Sequence, residues 1–244
     1  MFTDTGYMRA VPEICTFTMA INTEAYLQVL SELRQYNATL VAVSKTKPAA
    51  DIQQLYDLGQ RDFGENYVQE LVEKASQLPT DIRWHFIGHL QTNKVKYIAP
   101  FVYLIHGVDG FKLLEEINKQ GGKNKKPVNV LLQMHIAVEE TKFGLDENEL
   151  NELLRKYATQ PLDNVRIDGL MGMASFSTDM NVIRQEFKKL KNVFESIQAP
   201  GAAIVPSNGP LKTVSMGMSS DYKIALEEGS TMIRIGSLLF GTRN

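Results

Sequence analysis

The 244-residue sequence carries 26 basic and 28 acidic side chains, so its net charge is −2 and no basic surface predicts nucleic-acid binding. Its length is near the roughly 250 residues of a typical (β/α)8 barrel and suits one domain. No run of 18 apolar residues predicts a transmembrane helix. A single cysteine, Cys15, leaves no internal disulfide framework, as expected for a cytoplasmic protein.

The chain starts with a segment, residues 1–18, that lacks the charged start and apolar core of a signal peptide. A helical pattern begins only at Thr23. We therefore expect residues 1–18 to be a disordered tail or the result of a mis-assigned start codon. Residues 19–244 are expected to form a single domain.

Eight short runs rich in apolar and β-branched residues predict strands. They are Thr39–Ser44, Asp62–Gly64, Arg83–Ile87, Tyr103–Val108, Val128–Ile136, Val165–Met173, Thr213–Met216 and Met232–Ile235. The runs are almost continuously hydrophobic rather than alternating, which indicates parallel strands covered on both faces.

Apolar stripes at helical spacing lie between these strands. They are formed by Tyr26, Leu27, Leu30 and Leu33; by Val68, Leu71, Val72 and Ala75; by Leu150, Leu153, Leu154 and Tyr157; by Ile183, Phe187, Leu190, Phe194 and Ile197; and by Tyr222, Ala225 and Leu226. Asp146 and Glu149 predict a capped helix start, and Gly229 predicts a helix stop. We interpret Lys123, Lys125 and Lys126 as a solvated loop.

The alternation of strands and helices predicts a parallel α/β fold, most simply a (β/α)8 barrel of the TIM type. An open, doubly wound sheet is the alternative. Its Gly-x-Gly-x-x-Gly fingerprint is missing after the first strand, where the sequence continues with the segment Ser44–Pro48.

Polar residues follow the predicted strands at the end where a barrel carries its active site. Lys45 directly follows the apolar run Val41–Val43. Partial burial would disfavour the charged form of its amine and make it a nucleophile. An ordinary surface lysine is the alternative, and spacing alone does not distinguish Lys45 from Lys47.

Two segments after the seventh and eighth strands predict a phosphate site. The segment Ser215–Ser219 offers glycine, hydroxyls and backbone N–H groups, and Gly236 with Ser237 offers a second such approach. Ordinary turn chemistry is the alternative for either segment alone. Arg234, within an apolar run, requires a partner, which is either a ligand or a structural carboxylate.

The four histidines do not predict a metal site, because they lie on separate elements without cysteine or carboxylate at ligand spacing. They are His85, His89, His106 and His135. We expect His85 to be packed and hydrogen-bonded.

Seven segments taken in order resemble the pyridoxal phosphate homeostasis protein family. They are Ala42–Pro48, Phe63–Glu70, Trp84–Gly88, Gln91–Lys94, Gly169–Met171, Ser215–Asp221 and Ser230–Gly236. The resemblance extends from about Thr39 to Gly241, which is nearly the whole chain.

The resemblance implies a fold-type III barrel for pyridoxal 5′-phosphate (PLP), similar to the barrel half of alanine racemase. It selects Lys45 over Lys47 as the Schiff-base lysine and places Arg234 at the pyridine nitrogen. It assigns Ser215, Gly217, Met218, Ser219, Gly236 and Ser237 to the phosphate, and it places Asn66 and His85 near the cofactor. Lys142 matches a lysine in a mobile loop of the family. His89 departs from the family pattern, because many relatives have proline or a similar residue at its position.

The resemblance also implies a protein that stores, buffers or delivers PLP, with PLP-dependent client enzymes as partners. We expect a cytoplasmic monomer without turnover. An amino-acid racemase of the same fold type and an unrelated Schiff-base aldolase are the alternatives. Racemisation needs a base on each face of the substrate, and we find no tyrosine at a strand end for the second face. Arg234 stays charged and disfavours protonation of the pyridine nitrogen, which weakens PLP as an electron sink.

Overall fold

The computed structural model describes residues 21–138, 143–160, 162–199 and 210–241. The expectations for residues 1–18 and for Lys142 lie outside these ranges. Within them, no helix has the length and apolar character needed to cross a membrane.

Eight parallel strands pair in sequence order and close into a barrel. They are β1 (Thr39–Val43), β2 (Asp62–Glu65), β3 (Arg83–Phe86), β4 (Leu104–Val108), β5 (Val128–Met134), β6 (Val165–Gly172), β7 (Thr213–Ser215) and β8 (Met232–Ile235). Pairing of β1 with β8 closes the ring and excludes the doubly wound alternative. All eight predicted strands are confirmed, with ends that differ by two residues at most.

Helices connect the strands on the outside of the barrel. They are α1 (Thr23–Leu33), α2 (Ala49–Asp57), α3 (Val68–Gln77), α4 (Val95–Ile98), α5 (Phe111–Asn124), α6 (Glu147–Thr159), α7 (Met180–Ser196), α8 (Tyr222–Glu227) and α9 (Ser237–Phe240). The five predicted stripes fall on α1, α3, α6, α7 and α8. Leu27 and Val72 were wrongly included in their stripes, because their side chains are 56% and 37% exposed.

Local capping chemistry explains the start of α6 and the end of α8. The Asp146 side chain accepts from the Glu149 amide at 2.8 Å, and the Glu149 side chain accepts from the Asp146 amide at 2.9 Å, which confirms the predicted cap. Gly229, at φ +88°, ends α8 as predicted.

The predicted loop at the lysine cluster is wrong in part, because α5 continues through Gly121 and includes Lys123. A Cβ at Gly121 would lie 2.7 Å from the Asn164 carbonyl oxygen. This glycine therefore permits close packing, and the helix ends later, where Lys125 adopts φ +51°.

Alternation along each strand separates an outer core from the barrel interior. On β8, Ile233 and Ile235 pack outward in the main core, whereas Met232 belongs to the small interior cluster. Period-2 alternation therefore turns Arg234 into the barrel as well. The same alternation on β4 places Leu104 in the interior cluster and His106 on the inward face.

Candidate functional site

A cleft of about 460 Å³ opens at the carboxyl ends of the strands. Seven of the ten residues predicted to bind the cofactor line it: Lys45, Asn66, Met218, Ser219, Arg234, Gly236 and Ser237. A larger cavity of about 580 Å³ lies near the amino-terminal ends of β1, β2 and β3, around Arg61 and Asp62. The cleft is the candidate functional site, because barrels of this type carry their active sites at the carboxyl ends of the strands.

The backbone on both sides of Lys45 is held by side chains from the next strand and helix. The Ser44 hydroxyl donates to Glu65 Oε1 at 2.7 Å, and the Thr46 amide donates to Glu70 Oε1 at 2.6 Å. Thr46 adopts φ +65°, an uncommon conformation for a β-branched residue. Lys45 therefore projects from a short segment whose position is set by hydrogen bonds on either side.

Lys74, on α3, joins these contacts into one cluster. Its Nζ donates to Glu65 Oε1 at 2.8 Å, to Glu70 Oε1 at 2.7 Å and to the Ser44 carbonyl at 2.8 Å. Burial raises the pKa of Glu65, and the adjacent ammonium opposes that shift. The sequence did not reveal this cluster, since Lys74 reads as an ordinary helix lysine.

The turn after β7 depends on a glycine. Gly217 adopts φ +97°, and a Cβ at this position would lie 2.6 Å from the Ala225 Cβ. The Met218 amide donates to Asp221 Oδ1 at 2.6 Å, which closes the turn. The turn brings Met218 and Ser219 to the cleft, whereas Gly217 itself does not line it.

Hydroxyls from two loops meet at one corner of the cleft. The Gly236 amide donates to Ser219 Oγ at 3.3 Å, which ties the loop after β7 to the loop after β8. Ser220 and Ser237 line the same cleft. Ser220 was missed as a site residue, although it stands within the segment that carries the family resemblance. Such a set of hydroxyls suits an anion.

Asn66 offers an unused acceptor at the cleft. Its buried Oδ1 has no hydrogen-bond partner among the described residues. A buried acceptor is costly unless a ligand or water donates to it. A Cβ at Gly88 would lie 2.4 Å from the Asn66 carbonyl oxygen, so glycine lets the segment after β3 pack against this residue.

Arg234 reaches the cleft from inside the barrel. Its Nη1 donates to Ser215 Oγ at 2.5 Å and its Nη2 donates to the Gly172 carbonyl at 3.0 Å. Burial lowers the pKa of Arg234 to about 10, and Asp221 opposes that shift. The guanidinium is therefore still charged at neutral pH.

Two residues predicted to bind the cofactor, His85 and Ser215, do not line the cleft and lie behind it. His85 is fully buried and contacts Asp62 at 3.0 Å and His106 at 2.9 Å. Ser215 is also fully buried, between Arg234 and His106. The expectation that His85 is packed and hydrogen-bonded is confirmed. The sequence analysis did not single out Asp62 and His106 as partners of these residues. The one sequence signal for them is their position on the inward face of β2 and β4.

Comparisons with known proteins agree with this architecture. A family model described as "Alanine racemase, N-terminal domain" matches residues 21–244. The pyridoxal phosphate homeostasis protein of Aquifex aeolicus (strain VF5) is 41% identical over 207 residues, which cover 84% of this chain and 87% of that protein.

Solved structures of PipY from Synechococcus elongatus PCC7942 share 34% identity and cover 92% of this chain and 100% of theirs. The TM-score is 0.82 for the structure without PLP and 0.79 for the structure with PLP bound. The chain therefore belongs to the pyridoxal phosphate homeostasis protein family and has the fold of the alanine racemase N-terminal domain.

Proposed function

We propose that this chain binds PLP in the cleft and acts in PLP homeostasis, holding the cofactor and releasing it to PLP-dependent client enzymes in the cytoplasm. One observation carries the proposal. A single cavity is lined by the Lys45 amine, the Arg234 guanidinium and the serine hydroxyls around Ser219 and Gly236. These groups complement an aldehyde, a ring nitrogen and a phosphate. The names of the relatives point to the same cofactor.

When bound, PLP supplies an aldehyde that condenses reversibly with a lysine amine. Lys45 and Lys47 both line the cleft, so the choice of Lys45 rests on the family resemblance and on its anchored backbone. Ser44 and Thr46 hold that backbone through Glu65 and Glu70. A monomer suffices for this function, because every group named here comes from one chain.

The remaining contacts divide by chemistry. Arg234 would donate to the ring nitrogen and disfavour its protonation, because the guanidinium has no proton acceptor. Asn66 Oδ1 would accept from a hydroxyl on the ring. Ser215 and Gly217 would act from behind the cleft, Ser215 through Arg234 and Gly217 through the turn that presents Met218.

Borohydride trapping tests the proposal directly. After PLP is added to the purified protein and reduced, mass spectrometry should find the adduct on the Lys45 peptide. A Lys47→Ala variant serves as the matched control and should retain both the adduct and the near-visible absorption band. An adduct found only on Lys47 would overturn the assignment, and no adduct at any lysine would overturn the proposed covalent binding.

Ser219→Ala should weaken PLP binding about tenfold or more. Hydrogen bonds to charged groups contribute about 1.5–3 kcal/mol each, and 1.4 kcal/mol is a factor of ten in affinity. Equilibrium dialysis measures the change. Ser76→Ala is the control, because the Ser76 hydroxyl donates to the Glu73 carbonyl on an exposed helix surface. Equal affinity of the two variants would remove Ser219 from the phosphate site.

We propose that the protein has no useful amino-acid racemase turnover. Racemisation needs a base on each face of the substrate. Among the described residues that line the cleft, the groups able to act as a base are Lys45 and Lys47, which both follow β1. A chiral assay of the PLP-loaded protein with alanine, serine and glutamate should find no substantial turnover. Turnover of about one per second, an ordinary enzymatic rate, that is lost in Lys45→Ala would favour the racemase.

A further inference from the structure

A buried line of hydrogen bonds crosses the interior of the barrel and ends at Arg234. Arg234 Nη1 lies 2.5 Å from Ser215 Oγ, and Ser215 Oγ lies 3.2 Å from His106 Nδ1. His106 Nε2 lies 2.9 Å from His85 Nδ1, and His85 Nε2 lies 3.0 Å from Asp62 Oδ1. The five side chains come from β8, β7, β4, β3 and β2, and all are buried.

The far end of this line is held as an anion. Arg83 donates to both carboxylate oxygens of Asp62, with Nε at 2.7 Å and Nη2 at 2.5 Å. Burial opposes ionisation of Asp62, but the hydrogen bonds from Arg83 and His85 outweigh it and hold its pKa below the ordinary value. The line therefore joins a buried cation at the cleft to a carboxylate at the other end.

The two ends, together with the single proton of the Ser215 hydroxyl, assign a direction to each hydrogen bond between them. Arg234 can only donate, so Ser215 accepts from it. Among the described contacts, His106 Nδ1 is the acceptor available to the Ser215 proton, so we assign that proton to the bond with His106. A neutral His106 then carries its proton on Nε2 and donates to His85 Nδ1. His85 in turn carries its proton on Nε2 and donates to Asp62, which as a carboxylate can only accept.

In this arrangement both imidazoles are neutral. Burial lowers the pKa of His85, although Asp62 opposes the shift. Burial also lowers the pKa of His106 well below its ordinary value, and the charge of Arg234 adds to that shift. A proton on His106 Nδ1 would make Ser215 Oγ accept from both sides and would leave the Ser215 proton without an acceptor among the described contacts.

We propose that His106, with His85 and Asp62 behind it, is a positioning residue for Arg234. The line keeps a lone pair of Ser215 directed at the guanidinium and so fixes the face that Arg234 presents to the cleft. This inference rests on the proposed function, because its effect is measured on the affinity and the absorption spectrum of bound PLP.

The tautomers test the direction of the line without the cofactor. Two-bond nitrogen–proton correlation spectra of the full-length protein labelled with ¹⁵N-histidine should show His85 and His106 as neutral rings protonated on Nε2 at neutral pH. Single substitutions at each histidine assign the signals. A cationic ring, or a proton on Nδ1 of either residue, would overturn the inference.

Substitutions of His106 test its effect on PLP. His106→Leu removes the acceptor that the Ser215 proton uses, and PLP affinity should fall roughly five- to tenfold. The absorption maximum of bound PLP should move as well. His106→Asn can place Oδ1 near the position of Nδ1, so its spectrum should match the wild type and its affinity should stay within about twofold.

Thr213→Val is the matched control for a general loss of stability. Thr213 also lies on β7, and its hydroxyl donates to Asp168 Oδ2 at 3.0 Å, outside the line. This variant should keep the spectrum and affinity of the wild type. A folded His106→Leu protein with unchanged spectrum and affinity would overturn the inference about His106 but leave the proposed function intact. If the wild type does not bind PLP, the proposed function is overturned, and the inferred effect on PLP is overturned with it, even if both histidines show the expected tautomers.

Discussion

Replacing Lys74 with methionine should lower the free energy of unfolding by about 3–5 kcal/mol, the usual cost of removing one partner of a buried ion pair. Lys74 is buried and donates to Glu65, Glu70 and the Ser44 carbonyl, at 2.7–2.8 Å. Methionine fills a similar volume but leaves the Glu65 carboxylate buried without a cation. Urea unfolding measures the loss, and PLP affinity should also fall because Ser44 adjoins Lys45.

Two further variants separate the ion pair from simple packing. Lys74→Met combined with Glu65→Gln leaves no unpaired charge, and the side-chain amide oxygen introduced by the second substitution can still accept from Ser44, so most of the stability should return. Lys119→Met removes an exposed pair with Glu116 at 3.3 Å and should cost about 1 kcal/mol or less. If Lys74→Met costs no more than Lys119→Met, the buried cluster does not stabilise the fold.

Acidification from pH 8 to pH 5 should lower the free energy of unfolding through His85 and His106, by up to about 2 kcal/mol for each ring that stays neutral in the native state. Burial lowers the pKa of both rings, so the native protein takes up protons at lower pH than the unfolded chain, whose histidines titrate near pH 6.5. The unfolded state then binds more protons than the native state. Stability is therefore fully present above pH 6.5 and falls by up to about 1.4 kcal/mol per pH unit for each histidine.

A histidine substitution identifies the source of this pH dependence. Burial raises the pKa of Glu65, which acts in the opposite sense, since a raised carboxyl pKa favours the native state as the pH falls. In His106→Asn this contribution is unchanged while one titrating ring is gone. Unfolding free energies measured between pH 8 and pH 5 should therefore decrease less in this variant than in the wild type, and the difference is the contribution of His106. Equal pH dependence in the two proteins would mean that the pKa of His106 is not lowered in the native state.

The sequence by itself was sufficient for the barrel and for most of the cleft. Eight continuous apolar runs separated by helical stripes predict parallel strands covered on both faces, because burial requires that pattern whatever the detailed packing. The carboxyl ends of such strands meet at one mouth, so Lys45, Ser219 and Gly236 could be placed together without coordinates. Asp146 and Glu149 predict a helix start because capping acts within a few residues.

Only the tertiary structure decided which polar side chains meet inside the barrel. Ser215 and His106 are 109 positions apart, and their contact depends on the register of strands that do not adjoin in the sequence. A shift of one residue would turn either side chain outward. The placement of His85 behind the cleft and of Lys74 beside Glu65 has the same origin. Their hydrogen bonds follow from strand closure and helix packing, whereas spacing along the chain carries no signal for them.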